Sequence, residues 1–373
     1  MRTTGMAFSA LGLSALAAFA SVVESLPTSN TSLCPAFNSG TFTIDAFQLY
    51  PENAKFDPVR CRVYFGALFN ASVAVYDPYN NNITESINFP GLSGDINIHL
   101  GPALPDASGR LTVLLDAAAA FSTGGADVSG TNVILKYDFN TNSVLWQHNI
   151  SAEVTQGRFG GFQDVAHDKD QNVYIVGTFP GTILRVRDDG TGLAPWFLPE
   201  PAALANTTVA GFAGIASIAE KDLLLVNNQA DGQIYRFDGV SGAVNGTPIL
   251  IPRTDAGNGS TSAPIGASDA ILLPAKYGGT ILLVSVDAEG TVVLRSKDGT
   301  WRSAETLGLI SNNVPEAAGG LTPAPLQIGP DKIFAVEEFF ADPVVPGTTA
   351  GNRTLFPLVD ITAQVDALLA KFP

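Results

Sequence analysis

Short hydrophobic, strand-like runs recur along the chain at Val63-Tyr64-Phe65, Val113-Leu114-Leu115, Val173-Tyr174-Ile175, Leu223-Leu224-Leu225, Ile281-Leu282-Leu283 and Ile333-Phe334-Ala335. Their spacing of about 50 to 60 residues suits one four-stranded β unit plus loops per repeat. Six anchors predict six blades of a β-propeller. After most anchors a second β-rich segment follows and ends in an acidic turn, as in SVAVYDP (72–78), TILRVRDDG (182–190), QIYRFDG (233–239) and TVVLRSKDG (291–299). Asp-Gly at a strand end supplies the left-handed turn conformation, so these pairs read as turn chemistry before anything catalytic. In the second repeat the matching segment, NVILKYDFNTNSV (132–144), stands behind a Gly/Ser/Ala insertion from Phe121 to Gly130.

Ahead of the anchors lie shorter segments rich in small residues, GDINIHL (94–100), FQDVAHD (162–168), FAGIASI (212–218) and GASDAIL (266–272). Small residues suit innermost strands, whose backbones crowd around a central axis. TFTIDAFQLY (41–50) stands in the same place before the first anchor. Ring closure is expected to mix strands from both chain ends in one blade, because that removes open edges. The tail 357–372 carries Leu358, Ile361, Val365, Leu368 and Leu369 at helical spacing and predicts a short amphipathic helix on the outside. The fold class is therefore all-β, a six-bladed β-propeller of four-stranded antiparallel blades with a short C-terminal helix. Blades do not form separate cores, so residues 26–373 are expected to make one domain.

Composition changes the picture at the chain start. Arg2 precedes an apolar, small-residue run from Met6 to Ala20, which reads as a signal peptide over residues 1–25. It is too short for a membrane span, and nothing downstream approaches that length without charge. Eight Asn-x-Ser/Thr sequons, at Asn30, Asn70, Asn82, Asn149, Asn206, Asn245, Asn258 and Asn352, point to the same secretory route and to N-glycosylation on solvent-facing loops. The two cysteines, Cys34 and Cys61, are expected to pair in that oxidising compartment and staple the N-terminal segment. Net charge is −15 with no Lys/Arg cluster, which argues against a nucleic-acid partner. Hydrophobic residues make up 46% of the chain, enough for a large core.

Propellers bind ligands at a channel mouth, where strand ends from every blade converge. Polar or aromatic residues ending the anchor strands are Asp116, Thr178, Phe179, Asn227, Asn228, Asp287, Glu337 and Glu338; those entering the inner strands are Asp95, Gln163, Asp164, Ser268 and Asp269. Any one of them alone reads as a strand-end residue satisfied by nearby backbone. As a set they place a polar group at one repeat position in blade after blade. Phe159 and Phe162 flank a glycine pair and could wall an apolar ligand, or be interblade core. His99, His148 and His167 are isolated, so zinc is not expected, and redox cofactors are not indicated. Carboxylate and amide oxygens from several blades leave Ca²⁺ open. Nucleophile-elbow and phosphate-loop motifs are absent from the sequence.

The segments YPENAKFDPVRCRVYFGALFNASVAVYDP (50–78), GGFQDVAHDKDQNVYIVGTFPGTILRV (160–186) and IYRFDG (234–239) together resemble a fungal secondary-metabolism propeller family. That family includes hetero-Diels-Alderases of tropolone-sesquiterpenoid pathways and the core trichothecene-cluster protein, with a remoter likeness to gluconolactonase and strictosidine-synthase-like propellers. The resemblance implies a cofactor-free cyclase that dehydrates a benzylic alcohol to an ortho-quinone methide and adds it to a humulene-type sesquiterpene. Its partners would be apolar polyketide and terpene molecules. On position, Asp116, Asp164 and Glu337 are the proton-handling candidates, Gln163, Asn227, Asn228, Asp269, Glu338 and Thr178 the orienting groups, and Phe159, Phe162 and Phe179 the walls.

Three other readings stay open. A trichothecene-type protein would close a ring of an oxygenated sesquiterpene. A metal-dependent lactonase or esterase would need bound Ca²⁺ or Zn²⁺, and a non-catalytic secreted binding propeller predicts a flat, charged top face in place of a deep pocket.

Overall fold

The computed structural model describes residues 34–373; the signal segment and Asn30 lie outside the described residues. Six sheets follow one another around a ring. From the axis outwards, blade 1 is built of Pro51–Asp57, Arg62–Ala67, Ser72–Asp77 and Asn82–Asn88. Blade 2 uses Ile98–Pro105, Arg110–Ala117, Val133–Asp138 and Ser143–Asn149, and blade 3 uses Gly160–His167, Val173–Phe179, Thr182–Val186 and Ala194–Phe197. Blade 4 comprises Phe212–Ile218, Leu223–Asn228, Gln233–Asp238 and Ile249–Leu250. In blade 5, Ser268–Leu272, Ile281–Val286, Gly290–Arg295 and Ala304–Ser311 gain a fifth, parallel strand, Arg253–Asp255. Every predicted anchor lies on the second strand of its blade.

Blade 6 closes the ring. Leu321–Ile328, Lys332–Glu338 and Leu355–Asp360 come from the chain end, and Phe42–Asp45 from its start. Of the segment 41–50, expected ahead of the first anchor as an inner strand, Phe42–Asp45 is thus the outer strand of the last blade. The inner strand of blade 1 is instead Pro51–Asp57, a polar stretch that carries no hydrophobic signal. The disulfide Cys34–Cys61 ties the start of the described chain to the first turn of blade 1.

The tail departs from expectation at its start. Leu355–Asp360 is needed as a strand between Lys332–Glu338 and Phe42–Asp45, so the helix begins only at Thr362 and runs to Lys371. Asp360 Oδ1 accepts the Thr362 N–H at 2.9 Å, and Lys276 reaches Asp366 at 2.7 Å to pin the helix outside blade 5. No helix among the described residues is long and apolar enough to cross a membrane.

The core is a series of apolar layers between blades. One packs Tyr64, Val73 and Val75 of blade 1 against Leu100, Val113 and Leu115 of blade 2; another packs Tyr174 and Val176 of blade 3 against Ile215, Leu224 and Phe237 of blade 4. Each fully buried aliphatic side chain contributes about 2 kcal/mol. Near the axis backbones touch: a Cβ on Gly214 would stand 2.6 Å from Ile271 N and 2.8 Å from Asp269 O, so only glycine fits.

All six inner strands share one irregularity. Pairing with the second strand slips between Pro51 and Asn53, Leu100 and Ala103, Phe162 and Asp164, Phe212 and Ile215, Ser268 and Ile271, and Leu321 and Ala324. A bulge leaves its extra residue off the ladder and re-aims its side chain.

Candidate functional site

Those bulges build one wall of a cavity of about 510 Å³ at a mouth of the central channel. Glu52, Gly101, Gln163 and Asp269 line it from the bulges of blades 1, 2, 3 and 5. The ends of second strands supply the rest: Leu68 and Phe69, Asp116, Thr178 and Phe179, Gln229, Asp287 and Phe340. His99, opposite Asp116 on the blade 2 ladder, completes the polar set. A short helix, Ala118–Ser122, leads into the insertion of blade 2 and brings Phe121 to the rim, edge-on to Phe179 at 5.5 Å. The mouth is therefore an aromatic-walled cavity rather than a flat charged face.

Of the residues singled out from the sequence, Asp116, Gln163, Asp269, Phe162, Thr178, Phe179 and Asp287 come together here. The others do not. Phe159 is fully buried beside Leu114, Ile134 and Phe162, and is interblade core. Asn227 is buried and spends its amide on Ser268 Oγ (2.9 Å) and Asp269 O (2.8 Å), so it joins blades 4 and 5. Asn228 opens onto a separate recess of about 290 Å³ between blades 3 and 4, with Phe197 and Phe212. Asp164 is fully buried and pairs with Lys55 across the channel at 3.2 Å. Glu337 accepts from Thr322 Oγ1 at 3.0 Å, and Glu338 is buried with no hydrogen-bond partner on either oxygen among the described residues. Asp95 is exposed and only holds a turn through the Asn97 N–H.

Sequence reasoning missed Glu52, Leu68, Phe69, Gly101, Phe121, Ser122, Gln229 and Phe340, and His99 as a pocket residue. No sequence signal marked Glu52; only the structure shows that it occupies in blade 1 the bulge position that Gln163 and Asp269 occupy in blades 3 and 5.

The electrostatics of the cavity are those of acids kept from ionising. Burial, then the charge of Glu52, holds Asp116 well above the usual carboxylate range, and its Oδ2 has no partner among the described residues. Burial followed by Asp287 and Asp164 pushes Glu52 up to about 8. Asp269 is raised well above its ordinary value by burial and then by Asp287, Glu52 and Asp164. Asp287, half-buried, is pushed up to about 6 by burial. His99 is held neutral down to about 4 by burial, edge-on to Phe69 at 5.5 Å. Deeper in, burial raises Glu338 well above its range and Glu337 to about 8. Burial also raises Asp164, against the opposing pull of Lys55. A cavity of this kind can give a proton at one wall and take one at another. Among the described residues no three His, Cys, Asp or Glu stand in an arrangement that could hold a metal ion.

Comparison with known proteins places this geometry in a family. The chain is 33% identical over 353 residues to trichothecene biosynthesis protein 14 of Trichoderma arundinaceum, covering 90% of this chain and 92% of that protein. Against the core trichothecene cluster protein 14 of Fusarium sporotrichioides it is 31% identical over 354 residues, covering 90% and 88%. Among solved structures, the major Malassezia sympodialis allergen Mala s 1 superposes with a TM-score of 0.70 at 18% identity, over 86% of this chain and 96% of the allergen. A putative gluconolactonase superposes with a TM-score of 0.53 at 14% identity, over 88% and 94%. These two show the shared propeller fold. The model of the Mal s 1 allergenic protein-like family matches residues 33–306, and the chain belongs to that family.

Proposed function

We propose that this chain is a cofactor-free cyclase of fungal secondary metabolism of the hetero-Diels-Alderase type, working in the channel-mouth cavity on apolar polyketide and terpene substrates. The observation that carries the proposal is that Asp116 and Asp287 line one aromatic cavity and burial lifts them unequally, Asp116 well above the carboxylate range and Asp287 only to about 6. Groups in one site whose environments push their pKa values apart divide into acid and base. At neutral pH Asp116 is the acid and Asp287 the base.

The chemistry follows from that division. Asp116 protonates the benzylic hydroxyl of a phenol or tropolone, and the C–O bond breaks with loss of water. Asp287 takes the phenolic proton, and the neutral ortho-quinone methide results. Phe69, Phe121, Phe162, Phe179 and Phe340 hold this diene against an alkene, and one C–C and one C–O bond form together. Positioning in a dry cavity supplies most of the acceleration, because it replaces a bimolecular encounter with a held pair. Glu337 and Asp164, bonded elsewhere, have no part in these steps.

A second reading is favoured by the names of the two fungal relatives. The same acid would protonate a leaving hydroxyl of an oxygenated sesquiterpene, which departs as water, and a second hydroxyl oxygen of that molecule would close on the carbon as its own proton passes to Asp287. Made in the secretory pathway, the protein would lose residues 1–25 and act as one propeller domain over 26–373.

The test incubates purified protein with benzylic-alcohol precursors of quinone methides and humulene-type alkenes, with oxygenated sesquiterpenes in parallel. One enantiomer of adduct, formed equally well in excess chelator, is the expected result. Racemic adduct at the uncatalysed rate sinks the cycloaddition reading, and ring closure of the sesquiterpene alone selects the second.

A further inference from the structure

Four polar groups form a chain along the blade 3 side of the cavity. Gln163 stands between Asp269 and Thr178, with its amide nitrogen 2.6 Å from Asp269 Oδ1 and its amide oxygen 2.8 Å from Thr178 Oγ1. Thr178 Oγ1 also lies 2.7 Å from the backbone oxygen of Phe212. A threonine hydroxyl has one proton. In this orientation it would have to donate to two oxygens at once, and one of the two short O···O contacts would contain no hydrogen.

A half-turn of the Gln163 amide exchanges its nitrogen and oxygen at nearly the same positions. The amide nitrogen then donates to Thr178 Oγ1, which donates its single proton to Phe212 O. Gln163 Oε1 now faces Asp269 Oδ1 at 2.6 Å, a contact that requires a proton between them. That length lies within the O–H···O range and below the usual N–H···O range. Every contact in the chain is satisfied only when Asp269 supplies that proton.

We propose that Asp269 is held as a neutral carboxylic acid donating its O–H to Gln163, and that Gln163 is the positioning residue that serves both protonation forms of this acid. When a ligand oxygen in the cavity takes the proton, the Oδ1–H bond of Asp269 breaks and its electron pair stays as carboxylate. Gln163 then turns its N–H toward that carboxylate. Thr178 follows, swinging its proton from Phe212 O to Gln163 Oε1. The rotation stabilises the spent acid, and the cost is the lost bond to Phe212 O, which biases the resting state toward the loaded acid.

The surroundings favour the same state. Asp269 is nearly inaccessible to solvent, and three carboxylates face it: Asp287 from its own blade, Glu52 from blade 1 and Asp164 from blade 3. Lys55, the nearby cation among the described residues, is engaged with Asp164. The Ala270 N–H is the opposing influence. This inference deepens the reading of the cavity as an acid site by adding a second acid on the wall away from Asp116, yet its test needs no substrate.

Infrared difference spectra of the whole protein without ligand, wild type minus Asp269→Asn, isolate this one group. The Asn amide can donate to Gln163 Oε1 as the acid does, so the variant keeps the chain. At pH 7 the expected difference is the C=O stretch of a protonated carboxyl that shifts in deuterium oxide; a carboxylate pair in its place overturns the proposal. Following that band against pH tests the rotor. Thr178→Val removes the bias from Phe212 O and should lower the midpoint by about one pH unit, the worth of one net hydrogen bond, while Thr178→Ser leaves it in place. Equal midpoints in all three proteins reject the role of Gln163. A missing adduct in the turnover assay touches neither result.

Discussion

Lys55 on the inner strand of blade 1 reaches Asp164 on the inner strand of blade 3, Nζ to Oδ1 3.2 Å, bridging the axis past blade 2. Asp164 also accepts the backbone N–H groups of Val165 (2.9 Å) and Ile215 (3.3 Å), so one carboxylate joins blades 1, 3 and 4. Breaking a buried pair strands the remaining charge, which costs about 3 to 5 kcal/mol. Lys55→Met is therefore expected to destabilise by that amount in denaturant unfolding. Lys55→Met combined with Asp164→Asn should recover at least half of the loss; a double variant no more stable than Lys55→Met would show that the pair is not what holds the site.

Asp116→Asn preserves shape but cannot transfer a proton. General acid catalysis contributes about 10²- to 10⁴-fold, so kcat for the proposed dehydration should fall at least a hundredfold. Ligand affinity, measured by calorimetry, should change less than about threefold, because the amide still fills the same wall. A variant with full turnover removes Asp116 from the mechanism.

The buried acids also set the pH dependence of stability. Glu52 and Glu337 titrate at about 8 and Asp287 at about 6 in the folded chain, against ordinary values near 4 in the unfolded one. Above those ordinary values the folded state holds protons that the unfolded chain has released, so stability falls as pH rises. Each such proton costs about 1.4 kcal/mol per pH unit. His99 and His167, held neutral down to about 4 and 3, act with the opposite sign, and their contribution is complete above about 6.5. The acids outnumber them. Thermal unfolding is expected to show a higher Tm near pH 5 than near pH 8, with a shallower slope in Asp116→Asn; a Tm rising through that interval contradicts the assignment.

Six sequon asparagines, Asn82, Asn149, Asn206, Asn245, Asn258 and Asn352, are exposed. Asn70 is half-buried, its Nδ2 donating to Gln48 O at 3.1 Å and its Oδ1 accepting from Thr349 Oγ1 at 2.7 Å. Glycopeptide mapping of secreted protein should find sugar at exposed positions and leave Asn70 bare. A glycan there would mean that the loop between blades 1 and 6 adopts another arrangement.

The ring was legible because each second strand is buried along all but its ends and carries a continuous apolar run, repeated at blade spacing. The inner strand of blade 1 was not, since Pro51–Asp57 reads PENAKFD and places polar residues where an apolar run would be expected: Asn53 and Asp57 are buried, and Lys55 pairs with Asp164. The cavity was half legible. Asp116, Thr178 and Phe179 end apolar runs and point where counting along the strand predicts. Phe159 and Phe162 could not be sorted by parity, because the slip between Phe162 and Asp164 resets the alternation. Phe340 and Gln229 stand beyond strand ends, on turns whose course no periodicity encodes.

The slip repeated in all six inner strands carries a consequence for descent. A residue outside the strand pairing can be replaced without unsettling its neighbours, so Glu52, Gln163 and Asp269 are seats that mutation can refill while the torus keeps its shape. Gly101, whose Cβ would press on Gln163 O at 3.2 Å, and Gly214, wedged between two backbones, fix the bore. A lineage built this way can change guests without learning to fold again.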